Sequence, residues 1–383
     1  MLEIKEVLSR RDLEKFVKFP FKLYKTCPYW VPPLIKDEIN SLDPTLNPAF
    51  NDTDAWFYLA YRNGEVVGRI GVAINHIEIQ QLGKRKVRFG WLDMVDDIQV
   101  TKALIGKAFE KGRELGLEYI EGPMGFNNME KAGILTKGFK EMNTMITWYH
   151  YPYYFEHMKL MGFEKQATWV EYKMDVPPSI FDRISKFSNL VKERHQLKVI
   201  PISTKEEITE LADEMFTLLN ETYNRLQTYV PLQIEQREYY KKKYLNFLTP
   251  EYITCIKDAE NKLVAFSIVM PSFSKALKKA NGKLFPWGWK YILDAQRKND
   301  TAAFYLIGIA PSYQGRGVTA IIFEEMLNMF IAKGIKTVET NPELIENKAV
   351  QSLWKDYNPV QHKERSTFRR NIMSGFSLEK LEK

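Results

Sequence analysis

The spacing of apolar positions changes along the chain, and one order of predicted elements occurs twice. Spacings of three and four residues predict helices, whereas short apolar runs bounded by turn residues predict strands. The first series comprises strand 2–8, helix 11–24, strands 56–60, 66–74 and 90–97, helix 101–115 and strand 119–122. The second series comprises strand 197–202, helix 205–225, strands 252–256, 263–270 and 302–310, helix 318–333 and strand 336–339. This order predicts a mixed α/β fold present in two copies.

Shared sequence features mark the two copies. Tyr-Trp-Val-Pro-Pro-Leu at residues 29–34 is echoed by Thr-Tyr-Val-Pro-Leu at residues 228–232. Gly116 and Gly334 stand where the long helices must end, because glycine tolerates the left-handed backbone of a helix C-terminus. The Pro-Pro pair that begins at residue 177 interrupts the pattern between the copies. We therefore predict a tandem duplication with domains 1–176 and 177–383.

Length and composition indicate a folded protein of two domains. The chain has 383 residues, 45% of them hydrophobic and 27% charged, whereas one domain usually takes about 100–200 residues. Two cysteines, Cys27 and Cys255, exclude a disulfide framework and favour a reducing compartment. The acidic N-terminus does not resemble a signal peptide, and no apolar run approaches the about 20 residues of a membrane span. These features predict a cytoplasmic protein.

The chain has a formal net charge of +7 and an isoelectric point near 9.0. Nucleic acid, an anionic membrane surface or an anionic cofactor would each suit this charge. Because the basic residues are spread along the chain, a solvated basic surface is favoured over nucleic-acid binding. We expect no nucleic-acid partner, and the phosphates of coenzyme A suit the same charge.

A glycine-containing junction in the second copy carries the clearest chemical signal. Residues 307–318 connect an apolar strand to a helix through Gln314-Gly315-Arg316-Gly317. Glycines let backbone amides approach a phosphate, and the positive end of the following helix favours negative charge. Gln314 and Arg316 add side-chain donors. The alternative is a turn that needs glycine for its geometry alone.

With this junction, the second copy resembles the GNAT N-acyltransferase superfamily. Its signature, Gln/Arg-x-x-Gly-x-Gly/Ala after the fourth strand, is matched by Gln314 and Gly317, while Thr319 stands where glycine or alanine is usual. The resemblance implies that acyl-CoA lies where the fourth and fifth strands splay apart. The residues expected to contact it are Ile307, Ile309, Gln314, Gly315, Arg316, Gly317, Val318, Thr319 and Asn347.

The resemblance also implies a catalytic region around the thioester, near Tyr305 and Asn341. The glutamate base that is common in the superfamily would align near Ala303, which carries no titratable group. Glu339, at the end of the predicted fifth strand, is the remaining candidate base, although such a residue is equally suited to a salt bridge or a helix cap. Tyr305 is a candidate acid, and core packing is its alternative.

The superfamily often has a tyrosine that protonates the leaving thiolate, on the helix after the fifth strand. Here Leu353 or Trp354 falls closest to that position on the predicted helix 346–357, and Tyr357 lies one turn further on. We therefore retain Tyr357 as a second candidate acid. The assignments of acid and base stay open at this level.

The first copy lacks the glycine pair at the corresponding junction, residues 92–101, and has three acids there, Asp93, Asp96 and Asp97. These acids would repel phosphate, so we expect this copy to have kept the fold and lost coenzyme A binding. It would then serve as a scaffold or as a wall of the acceptor site. The Gly/Asn-rich segment 121–139 is either a structural loop or a substrate contact. His150 and His157 lack partners at metal-ligand spacing, and we expect no metal.

The chain as a whole is similar to bacterial tandem GNAT-like proteins, some of which are linked to acylation of lipid amines. Segments 274–279 and 285–290 insert lysine and tryptophan between the third and fourth strands of the second copy, which suits peripheral membrane contact, a lid or plain packing. We therefore predict an N-acyltransferase with acyl-CoA, or a carrier-bound acyl group, as donor and an amine as acceptor. The alternatives are a lipid-specific version with a long-chain donor or sphingoid-like amine, and a non-catalytic acyl-CoA-binding protein.

Overall fold

A computed structural model of the chain describes residues 1–180, 182–223, 229–347, 351 and 357–372. The strands are β1 Leu2–Glu6, β2 Thr53–Arg62, β3 Glu65–Asn75, β4 Lys86–Met94, β5 Tyr119–Gly122, β6 Ile134–Lys137, β7 Glu164–Asp175, β8 Lys198–Ile200, β9 Ile253–Lys257, β10 Leu263–Pro271, β11 Thr301–Ile309, β12 Thr337–Glu339, β13 Glu343–Leu344 and β14 Val360–Asn371. The helices are α1 Arg10–Leu23, α2 Ile35–Ser41, α3 His76–Gln80, α4 Ile98–Glu114, α5 Pro152–Leu160, α6 Asp182–His195, α7 Lys205–Tyr223, α8 Ile234–Leu245, α9 Ser274–Ala280, α10 Gly288–Arg297 and α11 Val318–Lys333.

The mixed α/β class and the repeated order of elements are confirmed. Helix α11 has the predicted bounds, and Gly334 caps it at a φ of 70°. In the first copy Gly116 follows α4 with a φ of 62°. The predicted end of the helix 205–225, and most of the predicted helix 346–357, fall outside the described residues.

Several predicted strands differ from the structure by one to three residues at an end, and one differs by more. The strand expected over 90–97 is β4, which begins at Lys86 and ends at Met94. The first residues of β4 resemble a loop in the sequence because Lys86 and Arg88 are charged. Both side chains are nevertheless buried, and they pair with Glu78 of α3 at 3.1 and 2.6 Å. Burial raises the free-energy cost of such charges unless they are paired, and these ion pairs let the charged residues begin a buried strand.

The described residues form two compact units, each discontinuous in sequence. The first unit contains Met1–Val170, Ser274–Trp289 and the described residues from Lys363 onward, and the second contains Glu171–Phe273 and Lys290–His362. The repeats of the sequence and the compact units are different divisions of the chain. The predicted repeat boundary at residue 176 therefore stays a prediction.

In the first unit the strands have the order β1-β2-β3-β4-β5-β14-β7. Neighbours β1 to β4 are antiparallel, whereas β4 and β5 are parallel. The last strand of the chain, β14, lies antiparallel beside β5, with Phe368 opposite Gly122. The unit formed mainly by the first repeat is thus completed by a strand of the second.

In the second unit the order is β7-β12-β11-β10-β9-β8. The pair β11 and β12 is parallel, and the other pairs are antiparallel. Here the residues beside β12 come from the end of β7, where Asp175 lies opposite Thr337. In each unit, therefore, the outer neighbour of the parallel pair is the final strand of the other repeat.

A buried polar network lies in the core of the first unit. The Asp93 carboxylate accepts hydrogen bonds from Tyr24 at 2.9 Å, Tyr154 at 3.2 Å and the Arg69 guanidinium at 2.8 Å. Burial raises the pKa of Asp93, and the paired Arg69 opposes that shift. These contacts fix strands β3 and β4 against α1 and α5.

Within the described residues, no helix is both long enough and apolar enough to cross a membrane.

Candidate functional site

Strand β11 of the second unit extends beyond the end of its parallel neighbour β12. The two strands pair over the whole of β12, from Thr301 opposite Thr337 to Ala303 opposite Glu339. Strand β11 then continues to Ile309, and its other edge stays paired with β10 as far as Ile309 opposite Ala265. Six residues of β11, from Phe304 to Ile309, therefore have no paired strand on this edge among the described residues. We call the region along this edge the β11 cleft.

Side chains reach the carbonyl groups that face the β11 cleft. Asn341 Nδ2 donates to the carbonyl of Tyr305 at 3.1 Å, the Tyr223 hydroxyl donates to that of Ile307 at 3.1 Å, and Gln314 Nε2 donates to that of Ile309 at 3.0 Å. Because these donors are side chains, an extended ligand with amide groups could exchange with them and pair with the strand edge. Asn341 Oδ1 is buried and has no hydrogen-bond partner among the described residues.

Tyr305 lies where β11 departs from regular pairing. Ile268 pairs with Leu306 and Val269 with Phe304, so Tyr305 is the extra residue of a β-bulge. Desolvation raises the pKa of Tyr305 well above its usual value. The phenol therefore keeps its proton at neutral pH and is in the form that can donate it.

The glycine loop turns the chain from β11 into α11. Gly315 has a φ of 74° and Gly317 a φ of 82°, in the left-handed region that suits glycine. At Gly317 a Cβ atom would also lie 2.9 Å from the ring of Phe187 on α6, so a side chain there would require this ring to shift. The first-turn amides of α11, beginning at Val318 and Thr319, have no intrahelical acceptor and form an anion-binding end.

The two polar side chains of the loop have different positions. Gln314 folds back onto the carbonyl of Ile309 at the end of β11. Arg316 is exposed, and its guanidinium lies 5.8 Å from the ring centre of Tyr313. Among the described residues Arg316 has no ion pair, so its charge is available to an anion at the start of α11. The anion site at this loop stays a prediction.

Glu339 is placed by the register of the parallel pair. It lies directly opposite Ala303, the position at which the superfamily resemblance aligns a glutamate base. Residues opposite each other on neighbouring strands project to the same face of a sheet. Glu339 can therefore present its carboxylate to the region that a glutamate at residue 303 would serve.

Comparison with known proteins adds to this geometry. No protein-family model matches the chain. Protein YghO of Escherichia coli (strain K12) is 25% identical over 376 residues, which cover 96% of this chain and 95% of that protein. The bacterial ceramide synthase of Caulobacter vibrioides (strain NA1000 / CB15N) is 23% identical over 377 residues, which cover 94% and 95% of the two chains.

A solved tandem GNAT protein from the clavulanic acid biosynthesis pathway superposes on the chain with a TM-score of 0.58. The match covers 98% of this chain and 100% of that one, at 13% identity. This chain has the tandem GNAT fold. The β11 cleft and the glycine loop belong to the second GNAT unit.

In the first GNAT unit, a backbone amide and a side-chain hydroxyl reach the corresponding edge of β4. Strands β4 and β5 pair as far as Arg88 opposite Glu121, and the Met124 amide then donates to the Phe89 carbonyl at 2.8 Å. The Tyr153 hydroxyl donates to the Met94 carbonyl at 2.7 Å. The Met124 amide takes a β4 carbonyl at the position where β5 pairing stops, which supports the proposal that this unit does not bind coenzyme A.

The three acids at the first junction do not lie together. The expectation that all three would repel a phosphate at the start of α4 is therefore wrong. Asp93 is buried in the core network and does not face the helix start. Asp97 is the N-cap of α4 and accepts from the Gln99 amide at 2.8 Å. Asp96 lies 3.3 Å from Nε2 of His157. Only two of the three acids therefore lie at the helix start, where a phosphate would approach.

The histidines that suggested a metal have protein partners. His150 Nδ1 accepts from the Leu135 amide, and His157 Nδ1 lies 2.9 Å from the hydroxyl of Thr101. Burial lowers the pKa of both histidines, which favours neutral rings. Among the described residues, no group of three or more histidine, cysteine or acidic side chains is placed to hold a metal ion.

Two of the predicted residues, Tyr357 and Asn347, have contacts other than the cleft contacts described above. The ring of Tyr357 stacks on Phe323 of α11 at 5.5 Å between ring centres. The Asn347 amide donates to the Leu344 carbonyl at 2.9 Å, at the start of the segment that leads to the undescribed residues 348–350. Leu353 and Trp354, the two positions that align best with the superfamily's tyrosine, lie outside the described residues.

Two further residues lacked a sequence signal: Tyr223, whose hydroxyl reaches the cleft, and Glu343. Burial raises the pKa of Tyr223 to about 12, and the charge of Glu343 adds to the shift. Burial also raises the pKa of Tyr172 on β7, and the charge of Glu343 adds to that shift as well. Tyr223 ends a helix whose sequence pattern indicated only packing, and Glu343 follows β12 in a segment without a distinctive motif.

Proposed function

We propose that the protein is an N-acyltransferase that transfers an acyl group from acyl-CoA to an amine, with its reaction site in the β11 cleft. The observation that carries the proposal is the juxtaposition of an open strand edge with an anion-binding helix start in the second unit. The pantetheine arm has amides that suit the edge at Ile307 and Ile309, and its pyrophosphate suits the amides of Gly315, Gly317, Val318 and Thr319 with Arg316. The two buried free cysteines agree with a reducing, cytoplasmic setting.

The proposed chemistry follows from the side chains around the cleft. The acceptor amine gives a proton to the Glu339 carboxylate and attacks the thioester carbonyl carbon. A carbon–nitrogen bond forms as the carbon–sulfur bond breaks, and the leaving sulfur takes a proton from the Tyr305 phenol. Asn341 Oδ1, buried without a described partner, is suited to accept an N–H of the donor or of the amine and so to orient it.

We also propose a chemical class for the donor and the acceptor. The relative from Caulobacter vibrioides is named a ceramide synthase, and it covers nearly the whole chain at 23% identity. This supports a lipid-type reaction, with a long-chain acyl donor or a sphingoid-like amine, over a small-molecule acetylation. The non-catalytic alternative, in which acyl-CoA is only a bound ligand, predicts the same cleft without turnover.

A transfer assay separates these alternatives. The purified full chain would be incubated with acetyl-CoA or palmitoyl-CoA and with either spermidine, an aromatic monoamine or a sphingoid base in detergent micelles. We expect release of free thiol that depends on the amine, together with the N-acyl product by mass spectrometry, and palmitoyl-CoA with the sphingoid base as the fastest pair. If acyl-CoA binds but no amine accelerates thiol release, the transferase proposal fails and the binding-protein alternative stands.

A further inference from the structure

The insertion between β10 and β11 exposes a group of large apolar side chains. Four of them occur within six residues, in the loop before α10 and the first turn of that helix, with exposed fractions of 39% for Leu284, 79% for Phe285, 62% for Trp287 and 44% for Trp289. We call these four residues the aromatic tip. Isolated exposed hydrophobic residues are common, but a contiguous group indicates a surface that another partner covers.

The loop that holds the aromatic tip is internally ordered. The Trp289 amide donates to the Leu284 carbonyl at 2.8 Å, and the Trp289 indole donates to the Pro286 carbonyl at 2.9 Å. Gly288 is packed against the Lys283 carbonyl so closely that a Cβ atom would lie 1.9 Å from its oxygen. The chain therefore holds Phe285 and Trp287 outward in a closed turn.

The base of the loop is anchored in the first unit. Lys278 of α9 donates to the carbonyls of Cys27 and Trp30 at 2.8 and 3.2 Å, and the Gly282 carbonyl accepts from the Ile35 amide at 2.9 Å. Because the base is fixed by buried contacts, exposure of the aromatic tip does not arise from a loose connection. The tip is a built feature of the surface.

The charged residues around the aromatic tip are almost all positive. Residues 274–298 contain seven lysines or arginines and one acid, so this segment holds six of the chain's seven net positive charges. Lys279, Lys283 and Lys290 are exposed and surround the tip in sequence. The rest of the chain is nearly neutral. Lysines and arginines occur along the whole chain, but acids balance most of them. The net positive charge is therefore concentrated in this one insertion.

We propose that this insertion docks the protein on an anionic lipid bilayer surface. Tryptophan and phenylalanine bury their rings at the level of the lipid headgroups, while lysines beside them meet anionic phosphates. Nucleic acid would use the lysines but would leave the outward Phe285 and Trp287 without an apolar partner. A second copy of the chain would bring two equally basic segments together. The inference does not rest on the proposed function, because membrane binding is measured without acyl-CoA.

The test is co-sedimentation of the full chain with vesicles of phosphatidylcholine, alone or with about one third phosphatidylglycerol. We expect binding to the anionic vesicles that weakens with salt. Replacing three exposed lysines by Lys279→Glu, Lys283→Glu and Lys290→Glu should reduce the partition coefficient about 100-fold. The pair Phe285→Ser and Trp287→Ser should reduce it at least about tenfold at unchanged charge.

Two matched variants control for surface changes elsewhere. Leu160 is 68% exposed on α5, and Lys242 is an exposed lysine of α8. Leu160→Ser and Lys242→Glu should bind vesicles as the unaltered protein does, and circular dichroism should show that all variants are folded.

Three results would overturn the membrane proposal. The first is equal binding to neutral and anionic vesicles, or none to either. The second is vesicle binding that is insensitive to the Phe285 and Trp287 changes, together with lysine-dependent binding of single-stranded DNA. The third is a concentration-dependent dimer that the Phe285→Ser and Trp287→Ser pair dissociates.

Discussion

Substituting Glu339→Gln should lower kcat for acyl transfer by about 10²- to 10⁴-fold, the range over which a positioned general base contributes. Glutamine keeps the length and shape of the side chain but cannot take the proton of the attacking amine. Binding of acyl-CoA should stay within about twofold of the unaltered protein, because the change removes an interaction made in the reaction rather than in the ground state. Turnover and calorimetric binding measured on the same preparation check both parts.

Glu346→Gln is the matched control, since Glu346 is an exposed glutamate of the same segment. It should leave kcat unchanged. An unaltered rate for Glu339→Gln would remove Glu339 from the chemistry. If Glu343→Gln then caused the loss, the base would be the Glu343 carboxylate, whose charge adds to the effect of burial on the pKa of Tyr223.

Reversing the charge at Arg316 should weaken binding of coenzyme A about 10- to 100-fold. A hydrogen bond to a charged partner contributes about 1.5–3 kcal/mol, and each 1.4 kcal/mol is a tenfold change in affinity. Arg316→Glu removes this contact and adds repulsion of the pyrophosphate, while the exposed position of the side chain leaves folding intact. Calorimetric titration with coenzyme A at two salt concentrations measures the change.

Lys242→Glu carries the same change of net charge on α8 and should bind coenzyme A as before. Equal losses in both variants would show that overall charge, rather than the glycine loop, governs binding. Retention of full affinity by Arg316→Glu would contradict the assignment of the loop to the pyrophosphate.

The parts of the second unit that follow local rules were predictable from sequence. Helix α11 has its predicted bounds because its ends are glycines in left-handed conformations, Gly317 and Gly334. The glycine loop could be located in the sequence because strand, loop and helix start are consecutive in the chain. Such signals need no knowledge of tertiary partners.

Other features depend on partners distant in sequence. The start of β4 was missed because Lys86 and Arg88 become strand residues only when Glu78 neutralises them. Tyr223 reaches the cleft only through the packing of α7 beside β11. The exchange of final strands, with β14 beside β5 and β7 beside β12, leaves the local hydrophobic pattern unchanged and so has no signal in it.

Calorimetric titration of the full chain with acetyl-CoA and, in parallel, with palmitoyl-CoA tests the central claim most directly. We predict one binding site per chain, because the glycine loop follows β11 in the second unit, whereas the corresponding junction of the first unit lacks the glycine pair and has the Met124 amide on the Phe89 carbonyl. Tighter binding of palmitoyl-CoA would further favour the lipid-type reaction. Two equivalent sites per chain, or no binding of either compound, would contradict the account.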